Sequence, residues 1–412
     1  MAARFRVSAR VLIVGAGPGG LTLGLLLARA GVAVEAYEQA ATFEREFRGE
    51  SLLPSGLQIL EDLGLRERLA SLERASPTAV RLHIGRSGMV YDSPPLRSDD
   101  GSPIVTSLPQ RQLLEALAGE ARALPGFSLR MGAAVRELLD DGCRIAGIRS
   151  GADEVRADLV VGFDGRFSAV RRSAGLEMRD AHVDFDIAWC AVPRFADASD
   201  RYEATIRGRE VCFWYPTGSV TRVGLLLRKS EFQALRAAGF DRFRTRLMAA
   251  TLGPLQASLS AALRSWGDVT LLPAVSEMAP RWWRPGLIVL GDAAHPMSPV
   301  GAQGINVALQ DAVVAARHLL PAMELTKSFD RREAIDAALA AIERERRPAV
   351  ARIARAQNLL PRLMSLLGPE SSVRLAIALF GPLARSGYRA TLARALIGRF
   401  VWGDTAVRKS RA

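Results

Sequence analysis

The sequence predicts an α/β fold in which one nucleotide-binding domain is interrupted by an antiparallel-sheet lobe and followed by a helical C-terminal region. Three observations predict it. A GxGxxG run stands between an apolar strand and an apolar helix near the start. Strand-like stretches separated by polar turns fill residues 177–272. A buried-strand pattern with a Gly-Asp turn then returns at 286–295, ahead of a long helix. The chain therefore leaves the first domain and re-enters it. The boundaries that follow are 1–75, 108–176 and 273–345 for the three parts of the nucleotide-binding domain, 76–107 and 177–272 for the lobe, and 346–412 for the C-terminal helices.

Taken in order, "RVLIV", "GAGPGG", "LTLGLLLARAG" and "VAVEAYE" read as strand, turn, helix and strand, a βαβ unit. "PSGLQILEDLGLRERL" and "LPQRQLLEALAGEARAL" carry helical periodicity, and "AVRLHIGRSGMVYDS" between them alternates like strands. In the lobe, "EVCFWYP" and "RVGLLLR" fit an antiparallel sheet, and "VCFWYP" is compatible with the floor of a hydrophobic substrate pocket or with plain core packing. Alternation puts Cys212 and Trp214 on one side of its strand and Phe213 and Tyr215 on the other. "GLIVLGDAAH" restores a buried strand, and "GINVALQDAVVAARHLL" a helix. From 340 onward the pattern is helical, broken by Pro361, Pro369 and Pro382.

At 412 residues the chain exceeds one ordinary domain. The net charge of +12 does not point to nucleic acid, because of 55 basic residues only Lys229, Lys327 and Lys409 are lysines. That skew fits a genome-wide coding bias better than a set of phosphate contacts. Cys143, Cys190 and Cys212 make neither a CxxC pair nor an even framework, so a reduced cytoplasm is expected and metal binding is not. No apolar run reaches the length of a membrane span. The apolar, arginine-rich stretch from Leu359 to Trp402 is compatible with a helix packed on the body, with peripheral contact to an anionic membrane or with a cap over a pocket for a lipophilic substrate.

The motifs carry the chemistry. Gly15 permits a tight turn, Gly17 lets a pyrophosphate approach the backbone, and Gly20 lets helix and strand pack closely; Pro18, in the same turn, is counted with them as cofactor-binding. Glu38 closes the second strand where a carboxylate can accept from a ribose diol. Asp158, Asp164, Gly165, Ser168 and Arg171 form a second constellation, DxxxxxDGxxSxxR. Gly291 and Asp292 form a third, followed by a loop and helix start containing Pro299, Gly301, Gly304 and Asn306.

With these three motifs in this order, residues 9–345 resemble the FAD-dependent aromatic hydroxylases, the single-component flavoprotein monooxygenases with the p-hydroxybenzoate hydroxylase fold. The resemblance implies a Rossmann-like FAD-binding domain and NADPH or NADH as co-substrate. It places Arg48 of "FRGESLLPSGLQILEDLGL", Arg111 of "LPQRQLLEAL" and Val135 in the cofactor set. It implies that the Asp-Gly segment serves both FAD and NAD(P)H, in keeping with the single GxGxxG of the chain. Pro299 and Gly301 would border the reactive flavin edge, and the helix N-terminus at 301–306 would stabilise negative charge there. The family often has a double glycine where this chain has Gly301-Ala302. The implied reaction puts one oxygen atom from O2, by way of a flavin C4a-hydroperoxide, onto an aromatic or polycyclic lipophilic molecule by hydroxylation or epoxidation. An isoprenoid double-bond reductase is the alternative on the same scaffold. A halogenase is disfavoured by the absence of an early lysine and of WxWxIP, and a binding protein without turnover by the intact motifs. No acid or base is assigned: His295 is expected to support its loop, His83 and His182 to be ordinary lobe histidines, and Tyr215 to be an interior strand tyrosine.

Overall fold

The computed structural model describes residues 9–44, 50–86, 88–98, 101–178, 185–194, 199–325 and 327–385. In chain order the elements are β1 (Arg10–Val14), α1 (Pro18–Arg29), β2 (Ala33–Glu38), β3 (Ser51–Leu52), α2 (Pro54–Asp62), α3 (Arg66–Ala70), β4 (Val80–Ile84), β5 (Met89–Asp92), β6 (Thr106–Ser107), α4 (Gln110–Arg122) and β7 (Phe127–Met131). There follow β8 (Val135–Asp140), β9 (Ile145–Ser150), β10 (Asp153–Arg156), β11 (Leu159–Gly162), α5 (Ala169–Ser173), β12 (Phe185–Pro193), β13 (Tyr202–Arg207), β14 (Glu210–Thr217) and β15 (Val220–Arg228). The chain continues through α6 (Glu231–Ala237), α7 (Phe240–Ala250), α8 (Pro254–Ala262), β16 (Thr270–Pro273), β17 (Trp283–Arg284), β18 (Leu287–Val289), α9 (Gln303–Met323), α10 (Ser328–Leu367) and α11 (Pro369–Arg385).

One six-stranded sheet has the order β17-β18-β11-β1-β2-β7, parallel but for the β17–β18 edge pair. Its inner strands read as unbroken apolar runs because both faces are covered. Val11 to Val14, Leu159 to Val161 and Leu287 to Val289 are all buried, and α1 packs between α4 and α9. The strand ends at Val14, Gly162 and Val289 bring the glycine loop, the Asp-Gly turn and the Gly-Asp turn to one edge. Three segments far apart in sequence thus share the carboxyl end of one parallel sheet, where such folds bind ligands.

The second large sheet, β16-β12-β15-β14-β13-β4-β5, forms the lobe. It is antiparallel with one exception: β4, delivered from before α4, joins β13 in parallel register. One face buries Cys190, Cys212, Trp214, Val223, Leu225 and Leu227 against Phe232, Phe243, Leu247, Leu255 and Leu259 of the three lobe helices. The other buries Ile187, Trp189, Tyr215 and Leu272, with Phe213 and Leu226 beside them. This is the alternation expected of "VCFWYP". A small sheet, β10-β9-β8, completes the first domain. Among the described residues no helix is long and apolar enough to cross a membrane.

Candidate active site

The glycine loop is shaped by close approach. Gly15 has φ +105°, and a Cβ there would lie 2.3 Å from the Phe163 carbonyl oxygen; one on Gly20 would lie 2.0 Å from that of Gly15. Around Gly17, by contrast, the space is open for 4 Å. α1 begins at Pro18 with no side-chain cap on its amides, so the loop presents backbone N–H groups and a positive helix end to that space. Glu38, buried at the end of β2, accepts from the Ala16 and Ala40 amides, each at 3.0 Å. A carboxylate has about four acceptor sites, so these bonds fix its orientation without exhausting it. The open cradle over Gly17 and the fixed carboxylate at Glu38 fit the pyrophosphate and ribose of a dinucleotide.

The two other turns are tied to each other. Asp164 accepts from Ser168 Oγ at 2.5 Å and from the Val170 amide at 3.0 Å, closing the turn at Gly165. Burial raises the Asp164 carboxyl above the usual range, opposed by the Ser168 hydroxyl and backbone amides. Arg171 reaches across to the Ala293 carbonyl at 2.8 Å and to the Arg166 carbonyl, so one guanidinium locks the Asp-Gly turn to the Gly-Asp turn. Asp158, by contrast, sits at the far end of β1, accepting from the Arg10 amide at 2.9 Å. The Gly291 amide donates to Asp311 at 3.0 Å, and Asp311 also accepts from His295 Nε2 and Arg346 Nε, both at 2.7 Å. Although burial works against ionisation, His295 and Arg346 hold the Asp311 carboxyl down at about 2. His295 is thereby a buried support of its loop. The Asp292 side chain remains partly open, with Arg166 Nη2 at 3.9 Å.

The loop that follows, Met297 to Gly304, is held from two sides. Gln357 of α10, fully buried, donates from Nε2 to the carbonyls of Ser298 at 3.0 Å and Val300 at 2.6 Å. Asn306 of α9 donates to the Ala302 carbonyl at 2.8 Å and accepts from the Leu53 amide at 2.8 Å. Between these clamps Gly301 and Ala302 both take left-handed backbone angles, Ala302 with φ 53°. Pro299, Gly301 and Gly304 all line the cavity described next. Gln357 lies outside every motif visible in the sequence; only its place one turn before Pro361 sets it apart.

A cavity of about 1020 Å³ separates this loop from the lobe sheet. Its floor is the face carrying Ile187, Trp189, Phe213, Tyr215 and Leu226, and Pro361 and Met364 of α10 close it from above. Trp189 meets Phe213 and Tyr215 edge-on, with centroids 5.1 and 5.9 Å apart, and Tyr202 lies 4.9 Å from Tyr215. Such a surface offers ring faces and edges to a flat aromatic guest. Burial pushes the Tyr215 hydroxyl well above its ordinary range. His83 is turned away from the cavity, stacked on Trp214 and 3.3 Å from Glu203. Arg111 is half-exposed and paired with Glu44 and Glu115 at 2.6 and 2.8 Å. Val135 is buried at the start of β8, opposite Ser150. Arg48 and His182 lie outside the described residues.

Comparison with known proteins agrees with this geometry. The family model described as an FAD binding domain matches residues 8–357. The chain is 34% identical over 409 residues to the 6-methylpretetramide 4-monooxygenase of Streptomyces rimosus, covering 97% of this chain and 93% of that protein. It is 31% identical over 340 residues to the 3-amino-4-hydroxybenzoate 2-monooxygenase PtmB3 of Streptomyces platensis, covering 77% and 80%. Among solved structures, PqsL, a probable FAD-dependent monooxygenase from Pseudomonas aeruginosa, superposes with a TM-score of 0.71 at 23% identity over 88% of this chain and 98% of that one, a likeness of fold. With motifs, fold and relatives in accord, the chain belongs to the FAD-dependent aromatic hydroxylase family and is an FAD-dependent monooxygenase with NAD(P)H as electron donor.

Proposed function

We propose that the substrate is a polycyclic aromatic molecule, of the kind acted on by the 6-methylpretetramide 4-monooxygenase relative, lying between the aromatic face of the lobe sheet and the Met297–Gly304 loop, and that it is hydroxylated there. The observation that carries this reading is the single cavity walled by both surfaces. On the same reading, Gly15, Gly17, Pro18, Gly20 and Glu38 hold the dinucleotide half of FAD, and Asp164, Gly165, Gly291, Asp292, Gly301 and Gly304 surround the rest, with Asn306 fixing the loop. The domain divisions at 75, 107, 176, 272 and 345 follow from this allocation. Bound FAD supplies the redox chemistry, accepting a hydride from NAD(P)H and activating dioxygen for transfer of one oxygen atom.

The chain's own residues do the rest. The uncapped N-terminus of α9 directs amides and helix dipole toward developing negative charge. Met297 and Pro299 narrow the loop side of the cavity and exclude water, which favours transfer over wasteful decay. Tyr215 keeps the proton on Oη at neutral pH and acts as a donor or a packing surface, not as a base. Arg171 holds Arg166 and Ala293 in place so that Asp292 keeps its orientation.

Entry from a cytoplasmic membrane surface belongs to the same reading. Leu359, Leu366, Leu367, Leu375 and Leu379 are exposed along the α10–α11 corner, and residues 386–412 contain six basic residues against Asp404, a combination suited to anionic lipid.

The test is turnover of the FAD-loaded protein with NAD(P)H, ¹⁸O2 and a panel of phenolic anthracenes and tetracenes. One labelled oxygen per product is expected. NAD(P)H oxidation that yields only hydrogen peroxide with every polycycle would overturn the substrate class, and turnover without oxygen consumption would point to the reductase.

A further inference from the structure

Among the charged side chains around the cavity, one end stands apart, and the inference drawn from it rests on the cavity being the substrate site. Val211, Phe213 and Tyr215, alternate residues of β14, border the cavity along its length. Tyr215 marks the loop end. It packs on Tyr202, whose hydroxyl lies 3.2 Å from Ser51 Oγ, and Asn306, which holds Ala302, donates to the Ser51 carbonyl at 3.4 Å. Five residues back along the strand, about 17 Å away at the usual rise and on the side shared with Cys212 and Trp214, Glu210 borders the cavity where the strand begins. Arg246 binds it through two bonds of 3.0 and 2.8 Å and also reaches Glu231 at 3.0 Å. Glu231 lies 3.8 Å from Arg228 as well. Glu210 and Glu231 are therefore each neutralised by arginine. Arg209, in the β13–β14 turn beside them, also borders the cavity, and among the described residues no carboxylate pairs with it. Beyond Glu210 and Glu231, Glu370 accepts from the Gly208 amide at 2.7 Å and is paired with Arg374 at 3.0 Å, so four arginines stand against three glutamates and leave this end with a net positive charge.

We propose that this end recognises an anion: the substrate is an elongated, fused polycycle bearing an acidic group, a carboxylate or ionised enol, on the ring remote from the oxygenated carbon, and Arg209 binds that group. The roughly 17 Å of β14 between Tyr215 and Glu210 is several times the width of a single ring, so an extended, fused guest is needed to bring an acidic group toward Arg209. A guanidinium meeting a carboxylate gives a directional, charge-assisted contact, and it fixes which end of the guest faces the loop. The charged end thereby sets the position of oxygenation.

The test uses the FAD-loaded, oxidised protein and two probes that differ only in charge, anthracene-2-carboxylate and anthracene-2-carboxamide, with binding read from the perturbed flavin absorbance. The carboxylate is expected to bind about tenfold more tightly than the amide, the scale of one charged hydrogen bond. Arg209→Gln should erase that preference and Arg209→Lys should restore most of it. Equal affinities in the parent protein, or a preference that survives in Arg209→Gln, would overturn the anion end while leaving the aromatic cavity standing. If neither probe perturbs the flavin, the proposal falls together with the reading of the cavity as an aromatic site.

Discussion

At the scale of single residues, the strictest demand falls on Gly15. A methyl group there would enter the Phe163 carbonyl from a backbone conformation that L-residues avoid, so Gly15→Ala is expected to cost roughly 3 kcal/mol or more. The purified variant should carry far less flavin per chain and melt earlier. Ala302 presents the reverse case, a Cβ already held at positive φ. Ala302→Gly should stabilise by up to about 1 kcal/mol, the relief of left-handed strain less the entropy that glycine adds to the unfolded chain. A small rise in melting temperature would report it. For Tyr215 the prediction concerns chemistry. Its hydroxyl is held protonated by burial, so Tyr215→Phe should leave the shape of the kcat profile between pH 6 and 9 unchanged. A kcat that rises with pH in the parent protein and no longer does so in the variant would identify the phenol as a base after all.

At the scale of elements, two side chains bind helices to the catalytic loops. Asp311 joins α9, α10 and the Gly291 turn through three bonds. Asp311→Asn leaves Arg346 buried beside a neutral group and should cost about 3 to 5 kcal/mol. Its pH signature has a definite sign. The folded value, about 2, lies below the ordinary 3.8, so the charged network contributes fully above about pH 4 and is lost as pH falls through 2. Denaturant midpoints followed down this range should fall in the parent protein and flatten in the variant. Gln357→Leu removes both donors that hold Ser298 and Val300. The expected outcome is a drop of several-fold in product formed per NAD(P)H oxidised, with peroxide making up the difference. The sequence displayed Asp311's helix but not its bonds, because a network that converges from positions 291, 295, 311 and 346 has no local pattern to reveal it. Gln357 was equally hidden. The βαβ unit, by contrast, was legible in type and order, with β1 coinciding with "RVLIV" and α1 starting three residues earlier than "LTLGLLLARAG", since apolar period, glycine spacing and Glu38 all act over 30 residues of contiguous chain.

At the scale of the whole molecule, the alternation of "VCFWYP" told correctly which side chains share a face, but left open whether either face lines a substrate pocket or a core. That depended on where α10 lies, a long-range outcome. The parallel β13–β4 pair escaped for the same reason, since β4 is recruited from a segment more than a hundred residues earlier. Arg111 entered the cofactor set by family pattern, and in the fold it stands half-exposed, paired with Glu44 and Glu115. The feature with the longest reach is α10 itself. One continuous 40-residue helix grips Asp311 through Arg346, clamps the loop through Gln357 and roofs the cavity through Pro361 and Met364. Each residue added to a helix turns everything beyond it by about 100°. A lineage descended from this protein can therefore change the guests it accepts by replacing the side chains at 361 and 364, whereas a single insertion between 346 and 361 would swing the roof away from its floor. Diversification here should proceed by substitution within a helix of fixed length.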